Sequence, residues 1–197
     1  MSDEIRDHSE GETTLDLELS DDGTCILREG ATERWRVRLE FGEHARWSSF
    51  REALIWPRQA RVIAGAGARV HVLDLASGAP VVTIDLAPDL FGDLRLAELP
   101  DDRGTPREAL MILGWTDVWI YDAELTLRWR ARDVAVDGVT FDEVVGSVVR
   151  LHAEMDPPGG WFAVSLNAAN GRELGRRPAL LPGYVGLYGA GPEEEPL

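Results

Sequence analysis

The residues with spacing nearest to that of metal ligands lie on one short stretch of the chain. His152, Glu154 and Asp156 occupy alternate positions, which places them on one face of a predicted strand. Imidazole nitrogen and carboxylate oxygen are ligands that divalent ions accept. The first and last of these residues would lie about 13 Å apart on a strand, too far for one ion to hold all three. Arg150 continues the same stripe, so the pattern favours a solvated polar face, with His152 and Glu154 as the weak metal candidates.

Most other catalytic chemistries lack the residues that they require. All 20 basic residues are arginine, which excludes a phosphate-binding Walker lysine and a Schiff-base lysine. No G-x-S-x-G sequence marks a nucleophile elbow, and the single cysteine, Cys25, stands in an apolar Cys-Ile-Leu stretch where a buried, inert thiol is expected. Carboxylates such as Asp142 and Glu143 are plentiful, but a sequence does not show whether two of them lie across a scissile bond, so a glycosidase is neither supported nor excluded. We therefore predict that the chain is not an enzyme and carries no cofactor.

Aromatic residues near the ends of predicted strands are the best candidates for binding another protein. Three tryptophans and a tyrosine lie close to two loops, residues 100–106 and 156–160, which also carry acidic side chains. Aromatic side chains dominate the energetic centres of protein interfaces. The alternative is that most of the seven tryptophans belong to the core. The candidate partner-binding residues are Trp115, Trp119, Tyr121, Asp156, Trp161, Asp101 and Asp102.

The net charge of −15 is unevenly distributed. Residues 1–22 hold nine carboxylates and one arginine, and residues 193–195 add three glutamates. Phosphate binding requires a basic surface, so a nucleic-acid partner is not expected. An acidic protein suits a basic protein partner, because its field accelerates the encounter; acidic ends that only maintain solubility are the alternative.

The sequence also predicts where the protein works. No apolar run approaches the ~18 residues of a membrane-spanning helix. Residues 1–7 are acidic and lack the apolar region of a secretory signal. These features predict a cytoplasmic protein with no membrane partner.

The elements that would position these residues are strands. In residues 34–39, Trp35, Val37 and Leu39 alternate with arginines, and residues 149–156 alternate in the same way. Helical periodicity is scarce, and short alternating segments are separated by Gly, Asp and Pro. The pattern predicts an all-β fold.

Four hairpins of the chain can be laid over one another. In each, a polar turn residue is followed seven residues later by an apolar residue that we expect to face inward. These apolar residues are Trp35, Val81, Trp129 and Leu174, which are 46, 48 and 45 residues apart. A repeat of ~40–50 residues with four short strands is typical of a propeller blade.

The second unit, RVIAGAGARVHVLDLASGAPVVTIDL, resembles the repeat of quinoprotein-type (PQQ-like) β-propellers: strand, Gly turn, strand ending in Leu-Asp, Ser-Gly turn, strand. The third unit, with Trp129 after its turn, is similar, and the two cover about half of the chain. Complete quinoproteins have about twice as many blades, with cofactor residues along the channel. Nothing here matches those residues, so the resemblance implies the fold and not quinone chemistry.

The organisation that follows is four propeller-like, four-stranded repeats. The first repeat lacks its first strand, which residues 184–188 are predicted to supply by closing a small four-bladed ring; an open propeller-like stack is the alternative. Residues 1–12 are predicted to be a disordered acidic segment, 13–190 a single domain and 191–197 an acidic tail.

These predictions point to non-catalytic protein recognition. In general character, though in no diagnostic motif, the chain resembles the immunity proteins that neutralise bacterial polymorphic toxins, which implies a basic toxin or effector domain as partner. The alternatives are a small-ligand or carbohydrate-binding propeller and a metal-dependent hydrolase at His152 and Glu154.

Overall fold

The computed structural model describes residues 14–101, 103–156 and 160–179. Within them, the alternation of apolar and polar residues produces fifteen β-strands and two short 3₁₀ helices, Glu43–Arg46 and Pro57–Gln59. The first sheet contains β1 Leu15–Leu19, β2 Thr24–Glu29 and β3 Thr32–Arg38. The second contains β4 Arg51–Trp56, β5 Arg61–Ala66, β6 Arg69–Asp74 and β7 Pro80–Asp85. The third contains β8 Phe91–Pro100, β9 Pro106–Gly114, β10 Val118–Tyr121 and β11 Leu127–Ala131. The fourth contains β12 Val139–Val145, β13 Val148–Asp156, β14 Gly160–Asn167 and β15 Glu173–Pro178.

Each sheet is an antiparallel meander whose strands follow the order of the chain. The all-β fold of four propeller-like units predicted from the sequence is confirmed. The first sheet has three strands within the described residues, which agrees with the expected lack of its first strand. The segment 184–188, which was predicted to supply that strand, lies outside the described residues, as do 1–12, 191–197 and Asp102. No helix in the described ranges is long and apolar enough to cross a bilayer.

The sheets stack face to face, with one apolar core between each consecutive pair. Strand β1 contacts β4, β4 contacts β8, and β8 contacts β12, so these strands line the inner side of the stack. The three cores lie between sheets one and two, two and three, and three and four. Among the described strands, β12 and β1 share no contact of comparable extent. The described sheets therefore form an arc, and a closed ring stays a prediction.

The outer faces of the first and last sheets are ionic. On the first sheet, Arg28 donates to Glu18 at 2.8 Å, and on the fourth, Arg150 pairs with Glu143. The side chains of both pairs are substantially exposed. A polar outer face on the terminal units is what caps a stack of repeats in water.

Two tryptophans join neighbouring sheets at their outer edges. The indole nitrogen of Trp35, on β3, donates to the carbonyl oxygen of Leu75 in the β6–β7 turn at 2.8 Å. Trp129, on β11, donates in the same way to Ala168 in the β14–β15 turn at 2.9 Å. Both rings are buried, so each tryptophan joins its sheet to the next sheet along the chain.

Each of these tryptophans packs on a glycine. Gly78 and Gly171 have φ values of +69° and +71°, and a Cβ at either would lie within 2.7 Å and 2.5 Å of the indole ring. The prediction of inward-facing apolar residues is wrong for Val81 and Leu174, which are 44% and 46% exposed. Sheet twist separates the outer edges of neighbouring sheets: Val81 is too small to fill the space that an indole fills, and Leu174 lies on β15 of the fourth sheet, which no described sheet follows.

The strand connections lie at two opposite ends of the stack. The upper rim, as we call it, carries the loops β1–β2, β3–β4, β5–β6, β7–β8, β9–β10 and β11–β12. The lower rim carries the turns β2–β3, β4–β5, β6–β7, β8–β9, β10–β11, β12–β13 and β14–β15. Contacts between Glu52 and Leu94 at the upper end of the inner strands, and between Arg58 and Glu98 at the lower end, show that sheets two and three run in the same direction.

Candidate interaction surface

The most exposed large aromatic side chains of the described residues lie on the upper rim. Trp47 is 87% exposed and Phe50 is 52% exposed, both in the β3–β4 connection. Five of the seven tryptophans are buried, as expected for most of them, and Trp47 is the exposed exception. Sequence reasoning missed this pair, although residues 40–50 do show a signal: the strand alternation stops there, and the aromatic residues flank Ser48 and Ser49.

The loop that carries these rings is held firmly to the second sheet. Gly67, at the tip of the β5–β6 turn, lies so close that a Cβ there would be 2.6 Å from the carbonyl oxygen of Phe41. Nε2 of buried His71 lies 3.0 Å from the carbonyl oxygen of Glu40, which can only accept, so this nitrogen donates. Nδ1 then accepts from the Thr83 hydroxyl at 2.9 Å. Burial lowers the pKa of His71, which favours this neutral form.

Trp115 connects this loop to the third sheet. Its ring meets Phe50 edge to face, with 6.4 Å between the ring centroids, and its backbone N–H donates to Leu90 at 2.9 Å. Trp115 is partly buried. We call Trp47, Phe50 and Trp115 the upper-rim aromatic group; it spans the loops of sheets two and three.

A pair of carboxyl groups lies immediately below these rings, on the inner strands β4 and β8. Glu52 accepts from the N–H of Leu94 at 2.9 Å and lies 3.4 Å from the guanidinium of Arg95. Asp93 pairs with the same guanidinium at 2.8 Å. Burial, and next the hydrogen bond with Asp93, raise the pKa of Glu52 to about 7. One arginine therefore serves two carboxyl groups, and this site holds more acid than base.

A second, buried carboxylate network orders the upper-rim loops of sheets two to four. Asp89 accepts from the backbone N–H groups of Leu90, Thr116 and Asp117. Asp117, 4% exposed, pairs with Arg130 at 2.6 Å. Burial raises the pKa of Asp89, whereas the hydrogen bonds that it accepts from backbone N–H groups act in the opposite direction. Because all their partners lie within the fold, these carboxylates stabilise the loops that present Trp115.

The tertiary structure separates the other residues predicted to bind a partner. Trp119 and Trp161 are 3% and 7% exposed, and Arg130 lies over the Trp119 ring at 4.8 Å. Tyr121 packs against the core between sheets two and three, and burial raises its pKa. Buried rings offer no surface to a partner, so of the four aromatic candidates Trp115 alone belongs to the upper-rim aromatic group.

The acidic candidates lie elsewhere. Asp101 is on the lower rim, where it accepts from the N–H groups of Arg103 and Thr105 at 2.9 Å each and closes the β8–β9 turn. These bonds lower the pKa of Asp101. The backbone of Asp156 ends β13 on the upper rim. A role for any of these residues in binding stays a prediction.

The weak metal candidates, His152 and Glu154, have no third ligand among the described side chains. His152 and Glu154 lie on the outer face of β13, opposite Ala163 and Trp161 of β14. No group of three His, Cys, Asp or Glu side chains in the described ranges is arranged to hold a metal ion. Cys25 is buried, and burial raises its pKa to about 11, which disfavours the reactive thiolate at neutral pH.

The lower rim holds an open groove of about 790 Å³ between sheets two, three and four. Charged side chains dominate its described lining, which includes no aromatic ring. Several of these charges are already paired, such as Arg58 with Glu98 at 3.4 Å and Arg107 with Asp101 at 3.6 Å. The groove therefore lacks the aromatic platform that the upper rim has.

Carboxylates outnumber arginines around the upper-rim aromatic group. The exposed carboxylates of these loops and strand ends are Asp21, Asp22, Glu40, Glu43, Asp85, Asp133 and Asp137. The exposed arginines there are Arg38, Arg46, Arg95 and Arg132. Hydrogen bonds from Ser20 and Thr24 lower the pKa of Asp22 to about 2, so this group is ionised at any physiological pH.

Comparison with known proteins shows similarity of fold to solved propeller structures. No protein-family model and no curated protein matches the chain. Among solved structures it is similar to BamB from Moraxella catarrhalis, a PQQ-like β-propeller protein, with a TM-score of 0.57 and 16% identity over 83% of this chain and 48% of that one. It is also similar to the computationally designed Ika8 protein, with a TM-score of 0.59 and 15% identity over 83% of this chain and 46% of that one.

The chain thus spans about half the length of these solved structures. The propeller-like fold that the sequence resemblance implies is confirmed.

Proposed function

We propose that this chain is a non-catalytic module that binds another protein through its upper rim. The observation that carries the proposal is Trp47, 87% exposed on a loop that the rest of the fold holds in place. An exposed indole costs free energy in water, whereas at an interface Trp is among the residues that contribute most. A rigid platform also loses little conformational entropy when a partner docks.

The charge of the chain supports a basic partner. The net charge is −15, and carboxylates surround the upper-rim aromatic group. Opposite charges accelerate the encounter and disfavour acidic competitors. We propose accordingly that the chain acts in the cytoplasm as an immunity-type protein, which binds and neutralises a basic toxin or effector domain of bacterial origin.

Affinity capture tests this proposal directly. The tagged chain is incubated with lysate of its source and washed at rising salt, beside a Trp47→Ser/Phe50→Ser variant. The matched control is Val82→Ser/Leu174→Ser, which removes two exposed apolar side chains from outer strands, 38% and 46% exposed. We expect one stoichiometric partner that leaves as salt rises, binds the control normally and binds the upper-rim variant at least tenfold more weakly.

Two results would redirect the proposal. A partner that binds both variants equally would move the contact away from the upper rim, and a variant lacking residues 1–12 would then test the acidic terminal segment. A chain that captures no protein would count against protein recognition. The immunity role needs one more result: growth of cells that express the captured partner must depend on co-expression of this chain.

A small-ligand function has a specific observation in its favour, the groove of about 790 Å³ on the lower rim. Its charged lining suits a polar, zwitterionic ligand better than a sugar, which aromatic rings would bind by stacking. A rise in melting temperature with one ligand class, abolished by Arg107→Ala, would support this alternative. Arg107 is 69% exposed, so the substitution should leave the fold intact.

A further inference from the structure

Phe50 immediately precedes β4 and Glu52 is the second residue of that strand, and both contact the same neighbour, the third sheet. Phe50 meets Trp115 at 6.4 Å, and Glu52 accepts from Leu94 at 2.9 Å. Residues two apart along extended backbone lie about 7 Å from each other. An aromatic pair and a carboxyl pair therefore adjoin each other at the inner edge of the upper rim.

These two pairs suit one kind of group. Aromatic faces attract guanidinium and ammonium groups, Trp more than Phe. Carboxylates form charge-assisted hydrogen bonds with the same groups, which are shorter and stronger than neutral ones. A side chain with an aliphatic stem and a cationic end satisfies both, because the stem lies on the rings while the cation reaches the carboxylates.

Glu52 and Asp93 share one guanidinium, so their charges allow a second cation to bind. Arg95 is the guanidinium that lies within ion-pair distance of both Glu52 and Asp93, at 3.4 Å and 2.8 Å. When both acids are ionised, this trio has a net charge of −1. The side chains of Glu52 and Asp93 are 33% and 21% exposed, so a group arriving from solvent reaches them.

We infer that the upper-rim aromatic group docks a cationic segment of the partner protein, with one Arg or Lys side chain lying against Phe50 and Trp115 and pairing with Glu52 and Asp93. This inference rests on the proposed function and specifies the chemistry of its partner. It also makes binding proton-linked. A cation beside Glu52 favours the ionised carboxylate, so the complex releases protons at pH values where Glu52 is partly protonated in the free protein.

Calorimetry with a defined probe tests the inference. The probe is a synthetic twelve-residue peptide of arginine and glycine, and its counterpart replaces each arginine with glutamate. Titration at pH 7 in two buffers of different ionisation enthalpy gives both the affinity and the number of protons released. We expect the arginine peptide to bind with proton release and the glutamate peptide not to bind.

Matched variants separate this site from general attraction to an acidic protein. Glu52→Gln should weaken binding about tenfold and abolish proton release, and Phe50→Ala should weaken binding to a similar extent. Glu98→Gln is the control, since Glu98 on the lower rim also lies 3.4 Å from one arginine, Arg58, and is 63% exposed. Circular dichroism melts verify that every variant is folded.

The outcomes separate the inference from the proposed function. Equal weakening by Glu98→Gln and Glu52→Gln, or no binding of the arginine peptide, overturns the cation site. If the chain still captures a protein in that case, protein recognition stands and uses other contacts. If the peptide result holds but no protein is captured, the cation site stands while the proposed function fails.

Discussion

Replacing Gly171 with alanine tests how the outer edges of the sheets are joined. The residue has φ +71°, and a Cβ would lie 2.5 Å from the ring of Trp129, which is 7% exposed. A left-handed conformation costs an L-residue about 1 kcal/mol. Displacing the ring costs about 1–3 kcal/mol more, because its N–H also bonds to Ala168 at 2.9 Å. We expect Gly171→Ala to lower the free energy of unfolding by about 2–4 kcal/mol.

Gly146 in the same sheet provides the matched control. It has φ +58°, and a Cβ there would meet no heavy atom within 4 Å. Gly146→Ala should therefore cost only the conformational part, about 1 kcal/mol. Urea unfolding followed by far-UV circular dichroism, with slopes compared to confirm a common transition, measures both values.

A double mutant shows whether the ring causes the difference. Trp129→Leu removes the ring that the new methyl group strikes, so Gly171→Ala should cost about 1 kcal/mol in that background, as it does at Gly146. If Gly171→Ala and Gly146→Ala destabilise the protein equally, the tryptophan does not hold the sheets together as argued. The same conclusion follows if the double mutant is additive.

Three further predictions concern single groups. The pKa of Glu52 is raised to about 7, so the folded state binds a proton more tightly than the unfolded state. The free energy of unfolding should therefore fall as pH rises from about 4.5 to 7. In melts of Glu52→Gln, stability should depend less on pH over this range. Asp117→Ala leaves Arg130 and the N–H of Asp133 without their buried partner. We therefore expect urea unfolding to show a free energy of unfolding lower by about 3–5 kcal/mol. A decrease below 1 kcal/mol would contradict the structural role of the Asp117–Arg130 pair. Cys25 should resist a thiol reagent at pH 8 until the chain unfolds, because it is buried and its pKa is raised to about 11; rapid labelling of the native protein would refute its burial.

Part of the candidate site was within reach of the sequence. Trp115 follows directly from its place at the end of a predicted strand, and the acidic charge was evident from composition. Trp47 and Phe50 were missed because a tryptophan in a β-protein is most often buried, and the loss of strand alternation over residues 40–50 indicates a loop without showing that its rings are exposed. Their exposure depends on how Gly67 and His71 of another hairpin hold the β3–β4 loop, a contact between residues distant in the chain.

The predicted site also contained residues that the fold separates. Trp119 and Trp161 lie near strand ends, as does Trp115, but both are buried: Trp119 packs in the core between sheets two and three, and Trp161 is paired with Glu154 of β13. Asp101 is on the opposite rim, because β8 carries the chain from the upper rim to the lower one before the β8–β9 turn. A sequence pattern shows where a strand ends. It does not show on which rim that end lies, or which face of the strand packs against the core.

The sequence alone predicted the strands, the four repeats and a first repeat without its first strand, and the described residues contain three strands of that sheet. Period-two alternation and turn residues are local properties, and a repeat of 45 to 48 residues is visible without any coordinates. The tertiary structure alone decided which apolar residues stay in water. Trp35 and Trp129 are buried because a glycine turn of the next sheet receives them, whereas Val81 and Leu174 at equivalent positions stay exposed. Burial at a sheet edge depends on the neighbouring sheet, and that neighbour is set by folding rather than by the residue itself.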